Sequence, residues 1–150
     1  MGLNRLGAFL RRHHKIALDS NIFIYELDAN PRYATYARHV FQWLAEPHHS
    51  ALTSTLTMTE VLTRPYAVGA TRQANEYYGL LSNYPHLDWI APDLVTADLA
   101  AQFRAGHRMR TPDAIQAATA VCSGATGLVS NDRVFERVKG FETLVLDDLL

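Results

Sequence analysis

The chain of 150 residues predicts an α/β fold, a three-layer α/β/α arrangement whose central parallel sheet has about five strands flanked by helices. Three observations carry this. Short apolar runs of strand length alternate with helical apolar periodicities from Ile16 to the end of the chain. Strands separated by helices pair in parallel through right-handed crossovers. Two of the apolar runs, Ile16-Ala17-Leu18 and Gly127-Leu128-Val129, stop abruptly at Asp19-Ser20-Asn21 and Ser130-Asn131-Asp132. These are acids beside helix-capping residue types, placed where open α/β sheets keep their ligand sites.

Leu3, Leu6, Phe9 and Leu10 recur at helical spacing and predict a short amphipathic helix ahead of the first strand, Ile16–Leu18. Ser20 or Asn21 then caps a compact apolar helix from about Ile22 to Asn30. Pro31 suits the first turn of the next helix, whose apolar face is Tyr33, Tyr36, Ala37, Val40, Phe41 and Leu44. Residues 49–54 form the second strand. A helix opens near Ser54-Thr55 with Met58, Val61 and Leu62 inward, and Pro65 and Gly69 break it. Residues 71–83 are helical, Leu87–Ile90 is a strand, and Pro92-Asp93 opens a helix that Gly106 punctuates. Thr111-Pro112-Asp113 has the form of a helix start, with Thr111 as N-cap, Pro112 at N1 and Asp113 at N2. The alanine-rich helix behind it reaches about Cys122 and buries that thiol. Gly127–Val129 is a strand, Val134, Phe135 and Val138 mark a short helix, and residues 143–146 form the last strand. The chain has no fixed-period repeat and no linker. Residues 1–150 therefore read as one domain, with 1–15 an amphipathic extension and 16–146 the core.

Composition narrows the function classes. A hydrophobic content of 48% against 19% charged residues describes a globular chain rather than a disordered one. The longest apolar runs are too short to cross a bilayer. In residues 1–15 the basic Arg11, Arg12 and Lys15 follow the apolar centre instead of preceding it, unlike a signal peptide, so a cytoplasmic location is expected. A single cysteine excludes an internal disulfide and a thiolate zinc cage. The net charge of −1 argues against a generic nucleic-acid coat. Neither glycine-rich phosphate loop is present, so no nucleotide cofactor is expected.

The acids carry the chemistry. Singly, Asp19 and Asp132 are explained as helix caps worth about 1 kcal/mol each, and Asp113 as a first-turn acid favoured by the helix dipole. Glu60 differs, because it stands mid-helix among apolar neighbours and is expected near a buried face, where a carboxylate needs a partner. Gathered at one lip, four carboxylates repel one another unless a cation neutralises them. No lysine lies close to any of them in sequence, so a hard divalent cation, Mg²⁺ or Mn²⁺, is the expected partner. Such an ion beside a phosphodiester activates water and stabilises the leaving oxygen.

Leu18-Asp19-Ser20-Asn21, Thr59-Glu60-Val61-Leu62, Arg110-Thr111-Pro112-Asp113-Ala114-Ile115 and Ser130-Asn131-Asp132 resemble the four acidic motifs of PIN-domain nucleases in type, order and spacing. The Pro-Asp-Ala-Ile helix and the small size are most similar to VapC-type toxins of type II toxin–antitoxin pairs. The resemblance implies a Mg²⁺-dependent endoribonuclease in which Asp19, Glu60, Asp113 and Asp132 are catalytic. Asp19 and Asp113 would hold the metal most directly, with Glu60 and Asp132 completing the shell or orienting its water. Ser20, Asn21 and Ser130 match the family's small polar positions, and Arg110 is expected to steady an RNA phosphate. The implied partners are RNA and a cognate antitoxin that approaches the acidic pocket with an arginine. A homodimer is also expected, and the tyrosines and leucines of residues 33–44 and 77–84 suit its face, though core packing explains many of them equally well. Two rival readings are a housekeeping PIN nuclease in RNA processing and a non-catalytic PIN-like binding module whose acids only cap helices. The adjacent pairs His13-His14 and His48-His49 point to different sides of any helix, make poor paired ligands, and read as solvated or capping. His107 reads as a loop residue.

Overall fold

The computed structural model describes all residues, 1–150. Its elements are α1 (Gly2–Arg12), β1 (Lys15–Leu18), α2 (Ser20–Leu27), α3 (Ala34–Ala45), β2 (Ser50–Ser54), α4 (Leu56–Ala67) and α5 (Thr71–Ser82). Then follow β3 (Leu87–Ile90), α6 (Leu94–His107), α7 (Thr111–Cys122), β4 (Gly127–Ser130) and β5 (Glu142–Val145). Short 3-10 helices occupy Arg133–Arg137 and Leu146–Leu149. The five strands pair entirely in parallel in the order β3-β2-β1-β4-β5. The predicted three-layer α/β/α fold is therefore the one observed.

Alternation along the strands builds two cores. Ile16 and Leu18 face a thick layer from α1 to α5, where Phe9, Phe23, Phe41, Trp43 and Leu44 fill the space. Ala17 faces a thin layer from α6 and α7, where Ala114, Ala117, Ala118 and Ala120 are fully buried. Gly127 matters to the thick side. A Cβ there would come within 2.8 Å of the Phe9 ring and 2.9 Å of the His13 ring, so the missing side chain is what admits the end of α1. The opposite end of the sheet carries the site. The chain crosses from β1 to β2 and β3 in one direction and returns through β4 to β5 in the other. The crevice between the C-terminal ends of β1 and β4 is thus the topological switch point.

The differences from expectation have local causes. Pro65 lies inside α4 rather than ending it; the helix runs on to Ala67, with Gly69 in the left-handed conformation (φ 73°) beyond it. Gly106 is helical too, and α6 stops two residues later at Arg108, which takes the left-handed conformation with φ 55°. Pro31 sits in a turn ahead of α3, where Asn30 Oδ1 accepts the N–H groups of Arg32 and Tyr33. The start of α7 is displaced by one: Arg110 is the N-cap position, with Thr111, Pro112 and Asp113 following as N1 to N3. Cys122 is exposed at the end of α7, contrary to expectation, since the buried stripe ends at Ala120. Of the two roles expected of His13, it takes the capping one: it is the C-cap of α1, and its ring is held by Thr126 Oγ1 at 2.8 Å and Glu142 Oε1 at 2.6 Å rather than solvated. His107 closes α6 rather than lying in a loop.

Candidate active site

Asp19 follows the last residue of β1, and its backbone N–H still pairs with the Val129 carbonyl of β4 at 3.1 Å. Its extended backbone (φ −76°, ψ 158°) makes it the N-cap of α2, the capping role read for Asp19 taken singly, in place of Ser20 or Asn21. Oδ1 accepts the Ser20 N–H at 2.9 Å. Oδ2 accepts the Ser130 hydroxyl at 2.7 Å and the Asn21 amide at 3.3 Å. Ser130 is fully buried at the end of β4, and its Oγ also accepts the Asp132 N–H at 2.9 Å. Asp132 in turn caps the 3-10 helix through Val134 N–H, at 2.9 Å. The two acidic strand ends are therefore stitched together by one serine.

The helical acids reach the same lip. Ser20 Oγ donates to Glu60 Oε2 at 3.1 Å, which joins α4 to α2. Glu60 itself is exposed, correcting the expectation of a buried face: Thr57 and Val61 take the inward positions of α4. Beside it lies a cleft of 220 Å³ between α2, α4 and α5, walled by Ile24, Leu27, Arg64 and Tyr77. Asp113 is half-buried in the first turn of α7, and Arg110 Nε approaches it at 3.4 Å with the rest of that side chain in solvent.

Electrostatics binds the four into one set. Burial pushes the Asp19 carboxyl up to about 6, against the pull of its bonds from Ser130 and Ser20, and the charges of Asp113 and Glu60 add to the rise. Burial also raises Asp113. The Arg110 cation opposes that rise and the Asp132 charge supports it. Two buried oxygens have no hydrogen-bond partner, Asn21 Oδ1 at this lip and Glu26 Oε2 farther along α2. No three acid, histidine or cysteine side chains converge into a ready three-ligand cage.

Of the residues the sequence pattern places at this lip, hydrogen bonds link Asp19, Ser20, Asn21, Glu60, Ser130 and Asp132, while Asp113 joins them through charge alone and Arg110 pairs with Asp113. Sequence reasoning misses Asn131, whose Nδ2 donates to the Tyr25 hydroxyl at 3.2 Å and whose Oδ1 accepts the Asp147 N–H at 2.8 Å. It also misses Gln116, a polar residue within an alanine-rich helix one turn beyond Asp113. That position is the available signal.

A parallel α/β/α sheet whose switch-point lip is lined by carboxylates from four elements defines a class of protein, and the class has a name. The sequence profile of the PIN domain matches residues 16–141, and the chain belongs to the PIN domain family. Solved structures share the fold. A toxin–antitoxin complex from Klebsiella pneumoniae superposes with a TM-score of 0.65 at 22% identity, covering 87% of this chain and 97% of that one. VapBC2 from Rickettsia felis, bound to a promoter DNA fragment, gives 0.65 at 18% identity over 87% and 98%. The sarcin-ricin loop cleaving toxin VapC20 from Mycobacterium tuberculosis gives 0.65 at 17% identity over 81% and 93%. No curated protein matches the chain by sequence. No helix is long and apolar enough to cross a membrane.

Proposed function

We propose that this PIN domain is a Mg²⁺-dependent endoribonuclease, with Mn²⁺ an acceptable substitute, and that it acts in the cytoplasm as the toxin of a toxin–antitoxin pair. The observation that carries the reading is Asp19: a carboxylate 7% exposed, at a parallel-sheet switch point, with its ionisation opposed by burial and by neighbouring Asp113 and Glu60. The cap bond of such a group does not offset the cost of burying its charge, and a cation would complete it. The donor set is all oxygen, and Asn21 Oδ1 is a further oxygen in want of a partner, which suits a hard ion rather than zinc. Mg²⁺ keeps most of its water and needs only one or two carboxylates, so a ready cage is not required.

Asp19 and Asp113 would hold the ion, which when bound supplies Lewis acidity and an acidified water. Ser130, Ser20 and Asn21 keep Asp19 ionised and aimed. Glu60 and Asp132 flank the pair from α4 and from the end of β4, placed to accept a proton from water or orient it. Arg110 meets a phosphate at the rim. The cleft beside Glu60, part apolar and part charged, offers an antitoxin segment a seat from which an arginine enters the acids. For a homodimer, exposed Leu94 and Val95 with the alanine-lined groove between α6 and α7 offer a face. The residues of 33–44 and 77–84 pack mostly on the core, leaving Tyr78 and Leu80 outward.

The test is RNA cleavage by the purified protein. Mg²⁺ or Mn²⁺ should support it, EDTA should stop it, and the co-expressed antitoxin should suppress it; full cleavage in EDTA overturns the reading. A second measurement concerns Arg110. Arg110→Ala should weaken binding of single-stranded RNA several-fold and flatten the slope of log affinity against log salt by about 0.7, one phosphate contact. An unchanged slope removes Arg110 from the RNA path.

A further inference from the structure

Directly behind the acidic lip lies a buried polar network that the four acids do not touch. Gln116 is 2% exposed. Its Oε1 accepts the N–H of Ser54, the last residue of β2, at 2.9 Å. Its Nε2 donates to Thr57 Oγ1 on α4 at 2.9 Å. The Thr57 and Thr53 hydroxyls stand 2.6 Å apart, and Thr53 Oγ1 is 2.8 Å from the carbonyl of Leu18, the last residue of β1. Thr53, Ser54 and Thr57 are all fully buried.

Counting protons gives the network a direction. Two acceptors stand near the single hydroxyl proton of Thr53, and the Leu18 carbonyl at 2.8 Å is much closer than Gln116 Oε1 at 3.5 Å, so the proton goes to Leu18. Thr53 must then accept from Thr57, and Thr57 is left to accept from the Gln116 amide. The relay runs Gln116, Thr57, Thr53, Leu18. It takes over where the backbone stops: the β1–β2 ladder ends at Ala17 and Leu52, leaving the Leu18 carbonyl to a side chain. An apolar residue at 116 would bury as well and need no partners. The amide is instead a high-stakes choice that admits one arrangement of its neighbours.

Each anchor stands next to an acid. Leu18 precedes Asp19, Thr57 is one turn before Glu60, and Gln116 is one turn after Asp113. We propose that Gln116 is a positioning residue of the acidic site: its buried amide ties α7 to β2 and α4 and, through Thr57 and Thr53, to the end of β1. It thereby sets the separations at which Asp113, Glu60 and Asp19 face the lip. Gln116 touches neither RNA nor metal; it acts through the acids, and its role rests on the nuclease reading above.

The variants are Gln116→Met, which keeps the volume and deletes every bond, and Thr57→Val, which cuts the relay while leaving the Ser54 bond. Phe9→Leu, at the far end of the sheet, serves as a control that lowers stability alone. Two quantities are read on the full chain: kcat and KM on one RNA, and Mn²⁺ affinity without RNA. Gln116→Met should lower kcat by about 10–100-fold and weaken Mn²⁺ binding by a similar order, with KM within about twofold. Thr57→Val should fall between it and wild type, and the double variant should be no worse than Gln116→Met alone. Wild-type kcat and Mn²⁺ affinity in folded Gln116→Met overturn the proposal, as does an equal loss in Phe9→Leu. If Gln116→Met does not fold, Thr57→Val decides by the same two readouts. A wild type that binds Mn²⁺ but cuts no RNA sinks the nuclease reading, yet the Mn²⁺ comparison still judges Gln116. A wild type that does neither sinks both.

Discussion

Asp19→Asn should abolish RNA cleavage, lowering kcat on the order of a thousandfold or more, while the protein stays folded. The amide is nearly isosteric and retains one oxygen for the Ser130 and Asn21 donors, giving up only the cap bond from the Ser20 N–H, so the fold persists. What it removes is the buried negative charge that the whole lip surrounds. Asp113→Asn should behave alike, since Asp113 faces the same space from α7 and shares the charge interaction with Asp19. The check is a time course of RNA cleavage at saturating Mg²⁺, with circular dichroism to verify folding. Cleavage by folded Asp19→Asn within a few-fold of wild type would remove this acid from the chemistry.

The second large effect is on stability, and its sign is opposite to that of an ordinary active-site lesion. In the metal-free protein Asp19 titrates at about 6, against 3.8 for an unperturbed aspartate. A raised folded-state value means that the folded state favours the protonated form. The stability this contributes is fully present below about pH 4 and is lost as pH rises through 6. The whole window corresponds to about 3 kcal/mol. Other carboxyls titrate too, and Glu142 and Asp148 are lowered and work in the opposite direction, so the informative quantity is the difference between wild type and Asp19→Asn. Asparagine does not ionise. Relative to wild type, Asp19→Asn should gain roughly 2–3 kcal/mol in unfolding free energy between pH 4 and pH 7.5 without metal. Millimolar Mg²⁺ should restore the wild type and leave the variant unmoved. Denaturant titrations at the two pH values decide the matter. A difference that does not change with pH would mean that the Asp19 carboxyl is not strained.

The parts of this molecule that depend on local pattern are legible in its sequence. Leu87–Ile90 is bounded as its apolar run and flanking turns require, and the strand–acid–cap form of 16–21 and 127–132 marks both sides of the switch point. Asp113 stands out because Pro112 marks a helix start. The misses belong to longer-range physics. Whether Glu60 faces in or out depends on how α4 rolls against α2, and Thr57, a polar residue that sequence patterning discounts, takes the inward place by joining a buried network. Gln116 goes unnoticed in the alanine helix because its three partners lie 59 to 63 residues away. Nothing in the local pattern announces that Gly127 is empty to make room for Phe9, a contact between segments more than a hundred positions apart.

The unequal thickness of the two helical layers gives the chain two histories of permissible change. On the thick side, aromatic and branched side chains can exchange volume with one another and repack, so many sequences satisfy the same backbone. On the thin side, fully buried alanines hold α7 against the strands and leave no volume to trade. An added methylene there moves the helix itself, and Asp113 with it. Homologues should therefore drift freely in α3 and α5 while α7 keeps its small residues, so the alanine stripe would record the family's descent more faithfully than its larger hydrophobic core.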